Sequence, residues 1–208
     1  MRRPEFIARQ SGNPSGLLGR LIGYVMSAET AAANAQALTA LDLKPSDHVL
    51  EVGFGHGRTI ERATSSVTLG FVAGVDRSEA MARMAARRCR PLIRDGRVGV
   101  MVADSERLPF PDQRFDKVLS VHTVYFWADP AGHLRDIRRV LRDTGRFVLA
   151  CRSKEDNSAE NFPETVYTFY TAAELVGLLE ASGFESVDLT HGPGELIIAA
   201  AQRAASAA

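Results

Sequence analysis

The 208-residue chain carries 25 basic and 25 acidic side chains, a formal net charge of zero, with 45% hydrophobic and 24% charged residues. These proportions are those of a globular domain and exclude a disordered, collagen-like or low-complexity chain. Balanced charge leaves no global field to draw the protein to nucleic acid or an anionic membrane.

At about 150 residues per domain, the length predicts one domain with a modest appendage. Residues 1–16 hold Pro4, Gly12, Asn13, Pro14 and Gly16 among charges, which predicts an irregular arm packed on something later in the chain. Arg2-Arg3 is followed by Pro4-Glu5-Phe6, where the apolar run of a secretion signal would have to stand. Apolar residues at Leu17, Leu18, Leu21, Ile22, Val25 and Met26 mark one face of a helix, and an alanine-rich second helix runs from Ala28 to Leu41. Residues 1–44 are thus an arm and helical cap, 45–202 the main domain, and 203–208 a frayed tail.

After Pro45 short apolar runs alternate with helices. Strands are predicted at His48–Val52, Phe71–Val75, Val98–Val102, Asp116–Val121 and Gly145–Ala150. Helices are predicted at Arg58–Val67, Ser78–Arg88, Ala131–Leu141 and Thr171–Ser182. Strict β/α alternation at these lengths implies a doubly wound α/β fold with a parallel sheet. The last two runs, Ser186–Thr190 and Glu195–Ala200, are separated by His191-Gly192-Pro193-Gly194 alone. A parallel crossover needs a dozen or more residues, so these strands close as an antiparallel pair.

Cys89 and Cys151 stand apart without CxxC spacing, which gives neither a disulfide framework nor a metal signature. No run approaches the roughly 18 apolar residues of a membrane span. The expectation is a soluble cytoplasmic protein, monomer or homodimer, with buried thiols.

The first strand runs into Gly53-Phe54-Gly55-His56-Gly57, and a helix starts at once. Glycines let a ligand approach the main chain, and the helix that follows offers free amides. The spacing is G-x-G-x-G; the dinucleotide fingerprint would need glycine at 58, where Arg58 stands. Asp76, with Arg77 beside it, follows the second strand, twenty-three positions beyond Gly53, where open α/β sheets place an acid for ribose hydroxyls. Asp104 follows the third strand at the same sheet edge, placed to accept from an exocyclic amine. Three such strand ends build one crevice.

Val49-Leu-Glu-Val-Gly-Phe-Gly-His-Gly57, Gly74-Val-Asp-Arg-Ser78, Ala103-Asp-Ser-Glu-Arg-Leu-Pro-Phe110, Phe115-Asp-Lys-Val-Leu-Ser120 and Arg139-Val-Leu-Arg-Asp-Thr-Gly-Arg-Phe-Val-Leu149 occur in this order. Together they resemble the class I S-adenosylmethionine-dependent methyltransferases, in the small bacterial branch that includes quinone and lipid methyltransferases. The resemblance covers about residues 45–200 and implies a seven-stranded Rossmann-like sheet with an antiparallel last strand. It implies that Gly53, Phe54, Gly55 and Gly57 hold the methionine end of S-adenosylmethionine, with Glu51 supporting the loop. It further implies ribose on Asp76 and adenine on Asp104 and the Ser105 amide. Thr144-Gly145 departs from the family's usual glycine pair.

Methyl transfer from a sulfonium is an in-line displacement that needs positioning, and needs a base only for a protonated acceptor. The resemblance implies that the fourth strand's end faces the methyl group, which makes His122 and Tyr125 the candidate catalytic residues. The His122 backbone is also expected to touch the methionine moiety. Phe126 and Trp127 are candidate acceptor walls, as are Tyr167 and Tyr170 in the long loop after the fifth strand and Tyr24 on the first cap helix. Arg83, Arg87 and Arg90 share a helical face, and a solvated surface accounts for them better than phosphate binding. The expected activity is methylation of a small molecule at O, N or C without metal. A nicotinamide-dependent oxidoreductase and a cofactor-binding protein without turnover are the alternatives.

Overall fold

The computed structural model describes residues 3–192 and 196–204. Its helices are α1 (Glu5–Gly12), α2 (Gly16–Glu29), α3 (Ala31–Leu41), α4 (Arg58–Ala63), α5 (Glu79–Arg88), α6 (Arg90–Arg94), α7 (Pro130–Val140) and α8 (Ala172–Ala181). Its strands are β1 (His48–Val52), β2 (Phe71–Asp76), β3 (Val98–Val102), β4 (Phe115–Val121), β5 (Leu141–Arg152), β6 (Phe184–Gly192) and β7 (Leu196–Arg203).

They form one seven-stranded sheet in the order β3-β2-β1-β4-β5-β7-β6. β1 to β5 pair in parallel, and β7 lies antiparallel to both β5 and β6. This is the doubly wound, seven-stranded arrangement with the antiparallel last strand. The predicted connector residues Pro193 and Gly194, the strand start at Glu195, and the tail beyond 204 lie outside the described residues.

The alternation of the strands decides the two cores. Along β1, Val49 faces one layer with Ile60, Ala85 and Leu119, while Leu50 faces the other with Val118, Ile137 and Phe147. Helix ends follow their local chemistry: the Ser78 side chain accepts the Met81 amide at 3.2 Å, and Thr171 with Glu174 forms a reciprocal capping box.

Two local features differ from the sequence expectation. The irregular arm is in fact helical over α1: Pro4 stands at the N-cap, where its missing N–H costs nothing, and its carbonyl accepts the Ile7 and Ala8 amides. Ala8 is fully buried in the same cluster as Tyr125 and Tyr167, and this packing holds so short a helix. β5 also starts four residues early, at Leu141. Its ladder with β4 skips from Leu141 to Arg146, and Thr144 sits at φ +61 in the left-handed region that a glycine would fill more easily.

Of the predicted cap, α3 is a layer of the sheet itself. It packs across β4, β5 and β7, and Arg146 Nε donates to the Ala40 carbonyl at 2.7 Å. α1 and α2 lie over the carboxyl edge, where the Ser78 hydroxyl donates to the Pro14 carbonyl at 2.5 Å. Arg139 ties down the loop that carries Asp104, donating to the carbonyls of Leu108 and Phe110 and to Asp112 and Asp136.

Candidate active site

β1 delivers the chain to the glycine loop, and its three glycines answer different demands. Gly53 stands at φ +79, and a Cβ there would lie 2.3 Å from Thr123 Cγ2. At Gly57, φ +83, a Cβ would lie 2.8 Å from Ala85 Cβ, and this close approach packs the loop on α5. Gly55 stands at φ +56 with nothing within 4 Å, so its missing side chain leaves open space in the crevice.

Asp76 ends β2 and holds this loop. Its Oδ2 accepts the Gly55 amide and its Oδ1 the Ser78 amide, both at 2.8 Å. Burial raises its pKa above the usual carboxylate value, against those two amides, which favour the charged form. Glu51 is 4% exposed. Burial pushes its carboxyl up to about 8, against the Thr59 hydroxyl and with some repulsion from Asp76. Its Oε2 is buried without a partner among the described residues.

After β3, Asp104 is exposed and accepts the Glu106 amide at 3.1 Å. Ser105 Oγ lies 2.8 Å from His133 Nδ1, and the His133 ring stacks on Trp127 at 4.9 Å and 13°. His122 directly follows β4, at φ +57, and its amide donates to the Ala150 carbonyl at 2.8 Å. Its Nδ1 lies 2.9 Å from the Tyr125 hydroxyl. Burial, helped by the Arg152 guanidinium, pulls the His122 pKa down to about 4.

One cavity at the carboxyl edge gathers Glu51, Gly53, Phe54, Gly55, Asp76, Arg77, Asp104, Ser105, His122, Phe126 and Trp127. Five expected residues fall outside it. Gly57 faces α5. Tyr24 is 61% exposed on α2. Tyr125 and Tyr167 are buried in an aromatic cluster with Phe126, Phe162 and Phe169, where large rings gain most from mutual packing. Tyr170 is half-buried, and its backbone bridges Ser153. The aromatic loop after β5 thus anchors itself to the core behind the cavity.

Ser11, Pro14, Met26, Thr30 and Asn34, from the N-terminal helices and the turns between them, line the cavity in their place, as do His56, Thr59, Met81 and His133. His56 is 6% exposed with Nε2 unpartnered among the described residues, and burial lowers its pKa to about 4. The cysteines Cys89 and Cys151 are free and buried, and burial pushes their thiols up to about 11 and about 12. Among the described residues no helix is long and apolar enough to cross a membrane.

Residues 50–149 match the family described as "Methyltransferase domain". The chain is 30% identical over 169 residues, 81% of its length and 88% of the relative's, to an "uncharacterized methyltransferase" of Bacillus subtilis, YdaC. The chain belongs to the class I S-adenosylmethionine-dependent methyltransferases. An S-adenosylmethionine-dependent methyltransferase from Aquifex aeolicus shares its fold with a TM-score of 0.73 at 21% identity, over 97% of this chain and 99% of that one. A structure titled as a complex of a Haloferax volcanii methyltransferase activator and a putative methyltransferase gives 0.76 at 20% identity, covering 98% of this chain and 100% of that one.

The residues of this methyltransferase fit the cofactor its family uses. The unpartnered Oε2 of Glu51 is an acceptor for the ammonium of an amino-acid tail, and the space at Gly55 admits a chain against the backbone. The carboxyls of Asp76 and Asp104 supply acceptors at the next two strand ends.

Proposed function

We propose that the chain transfers a methyl group from S-adenosylmethionine to an oxygen, nitrogen or carbon of a small molecule held between the end of β4 and the N-terminal helices. The observation that carries this reading is the convergence of Glu51, Asp76 and Asp104, from three neighbouring strand ends, on one cavity. Bound S-adenosylmethionine would supply an electrophilic methyl on a sulfonium whose leaving thioether is neutral and needs no acid.

Glu51 and the backbone of Gly53–Gly55 take the amino-acid tail. Asp76 keeps a lone pair on each carboxylate oxygen beyond those used by Gly55 and Ser78, and these accept from ribose hydroxyls. Asp104 accepts the adenine amine, with the Ser105 amide beside it. Trp127 is reassigned to this end, because its ring lies on His133 next to Ser105. Phe126, Met26 and Asn34 bound the acceptor's side of the cavity, excluding water and aligning the nucleophile, which supplies on the order of 7 to 11 kcal/mol when geometry is good.

Titration calorimetry with S-adenosylhomocysteine and with NADPH tests the reading. One-site binding of the first and none of the second is the expected outcome; binding of the nicotinamide alone would overturn it.

A further inference from the structure

We infer that the outer face of α2, with the arginines beside it, docks the protein on an anionic lipid surface. The inference is independent of the acceptor chemistry proposed above.

α2 has two unlike sides. The inner side is held by close packing: a Cβ at Gly19 would lie 2.7 Å from the Pro14 carbonyl carbon, and one at Gly23 would lie 2.8 Å from Met81 Sδ. Gly23 and Met26 also line the cavity at the carboxyl edge. The outer side carries Leu18, Leu21 and Val25, at the i, i+3 and i+7 spacing of one helical stripe, with Tyr24 at its margin. These four are 48%, 62%, 50% and 61% exposed in that order. A helix with water on its outer side carries charges there, yet Arg20 and Glu29 are the only charged residues in the fourteen of α2. Of the eight large apolar side chains exposed among the described residues, four stand on this one helix. Scattered apolar residues are ordinary on a protein surface, whereas four neighbours on one helix mark a face that something covers.

The groove next to that face sets the charge of what covers it. Arg20 lies one turn before Tyr24 on the same margin of α2, and it lines the groove against α5 with Arg77, Arg83 and Arg87, all four exposed. Glu79, which accepts from Arg83, is the one acid lining the groove. Four guanidinium groups against one carboxylate leave a local excess of three positive charges on a chain whose net charge is zero. The amino end of α2, with no acid in its first turn, opens on the same groove at Ser15 and Gly16 and adds to the positive field.

An anionic bilayer answers both features. The acyl boundary takes Leu18, Leu21 and Val25, the headgroup layer takes the Tyr24 ring, and lipid phosphates take the arginines. With fourteen residues, α2 lies on such a surface and does not span it. A second copy of the chain fits less well, because a twofold contact through this face brings two arginine clusters to one interface.

The test uses the full chain with vesicles of phosphatidylglycerol or of phosphatidylcholine. Sedimentation at low salt should show binding to the first at least about tenfold tighter than to the second, and about tenfold weaker again in high salt. The pair Leu21→Ser with Val25→Ser, and separately the pair Arg20→Ala with Arg87→Ala, should each lower binding about tenfold. Because these side chains are exposed, Tm and S-adenosylhomocysteine affinity should stay at wild-type values in both pairs. Orientation is read with a polarity-sensitive fluorophore, since Cys89 and Cys151 are buried and leave an introduced surface thiol to be labelled alone. The label on Leu21→Cys should shift to the blue on phosphatidylglycerol vesicles. The label on Leu69→Cys should not, because Leu69 is exposed just before β2, at the opposite edge of the sheet. Equal binding to the two vesicles, binding unchanged by the Leu21→Ser and Val25→Ser pair, or an equal shift at both labels overturns the inference. A solution dimer that the same pair abolishes also overturns it, since a second copy then covers the face.

Discussion

Asp76 Oδ2 accepts the Gly55 amide hydrogen at 2.8 Å, so the acid at the tip of the second strand also sets the shape of the glycine loop at the tip of the first. Its other oxygen holds the Ser78 amide at the entry to α5. One side chain thus joins three parts of the crevice. Asp76→Ala should therefore weaken S-adenosylhomocysteine binding about 100-fold, since charge-assisted hydrogen bonds of roughly 1.5–3 kcal/mol are lost. Asp76→Asn should fail nearly as badly, because its NH2 would face an amide donor. Calorimetry on both variants checks this, and binding within threefold of wild type in either would contradict it.

Gly55 and Gly53 predict opposite phenotypes. A Cβ at residue 55 meets nothing, so Gly55→Ala should cost only its left-handed backbone, about 1–2 kcal/mol, and lower Tm by a few degrees. That Cβ occupies the ligand's space, so binding should fall at least tenfold. Gly53→Ala drives a methyl against Thr123 and should cost about 3 kcal/mol. Adding Thr123→Ser removes the clashing Cγ2 and should recover part of the Tm. The check is thermal denaturation of the free proteins beside calorimetry.

Glu51 links the cofactor to protons. Its carboxyl, raised to about 8 by burial, is mostly protonated at neutral pH in the free protein, and an ammonium partner requires the carboxylate. S-adenosylhomocysteine affinity should therefore rise as pH goes from 6 to 8, with proton release on binding, and Glu51→Gln should flatten this dependence. Stability runs the other way. The folded state holds the proton more tightly than the unfolded chain between about 4.5 and 8, so Glu51 makes the free protein less stable as pH rises through that window. The Tm difference, Glu51→Gln minus wild type, should grow from pH 5 to 8.5.

Strand positions and the acids after them were legible because both are local: apolar runs with period-two alternation, and residues that stand directly after a run. The antiparallel close followed from a connector too short to cross over. The cavity's other half was not legible. Ser11, Thr30 and Asn34 reach it only through the packing of α1 to α3, and nothing in their neighbourhood along the chain marks them. The tyrosines were ambiguous for a related reason: Tyr125, Tyr167 and Tyr170 read equally well as walls of a pocket or as anchors of a loop, and burial in one cluster with Phe162 and Phe169 decides for the anchor at Tyr125 and Tyr167. α1 was hidden by Pro4 and Gly12, which here bound a helix instead of breaking one.

His56 and His122 set the acid limb of stability. Both have folded pKa values near 4 against an ordinary 6.5, so the folded state resists a proton that the unfolded chain accepts. The stability each confers is complete above about 6.5 and is lost as pH falls toward 4, by about 3 kcal/mol for each. His56→Gln should make the protein relatively more stable at pH 4.5 than at pH 7, measured as the Tm difference from wild type. A pH-independent difference would contradict the burial assigned to that ring.

The most direct measurement is a crystal structure with S-adenosylhomocysteine. The ribose hydroxyls should lie at about 3 Å from the Asp76 carboxylate, the amino group at the same distance from Glu51, and the adenine amine on Asp104. A ligand that leaves any two of these carboxyls without contact would contradict the account.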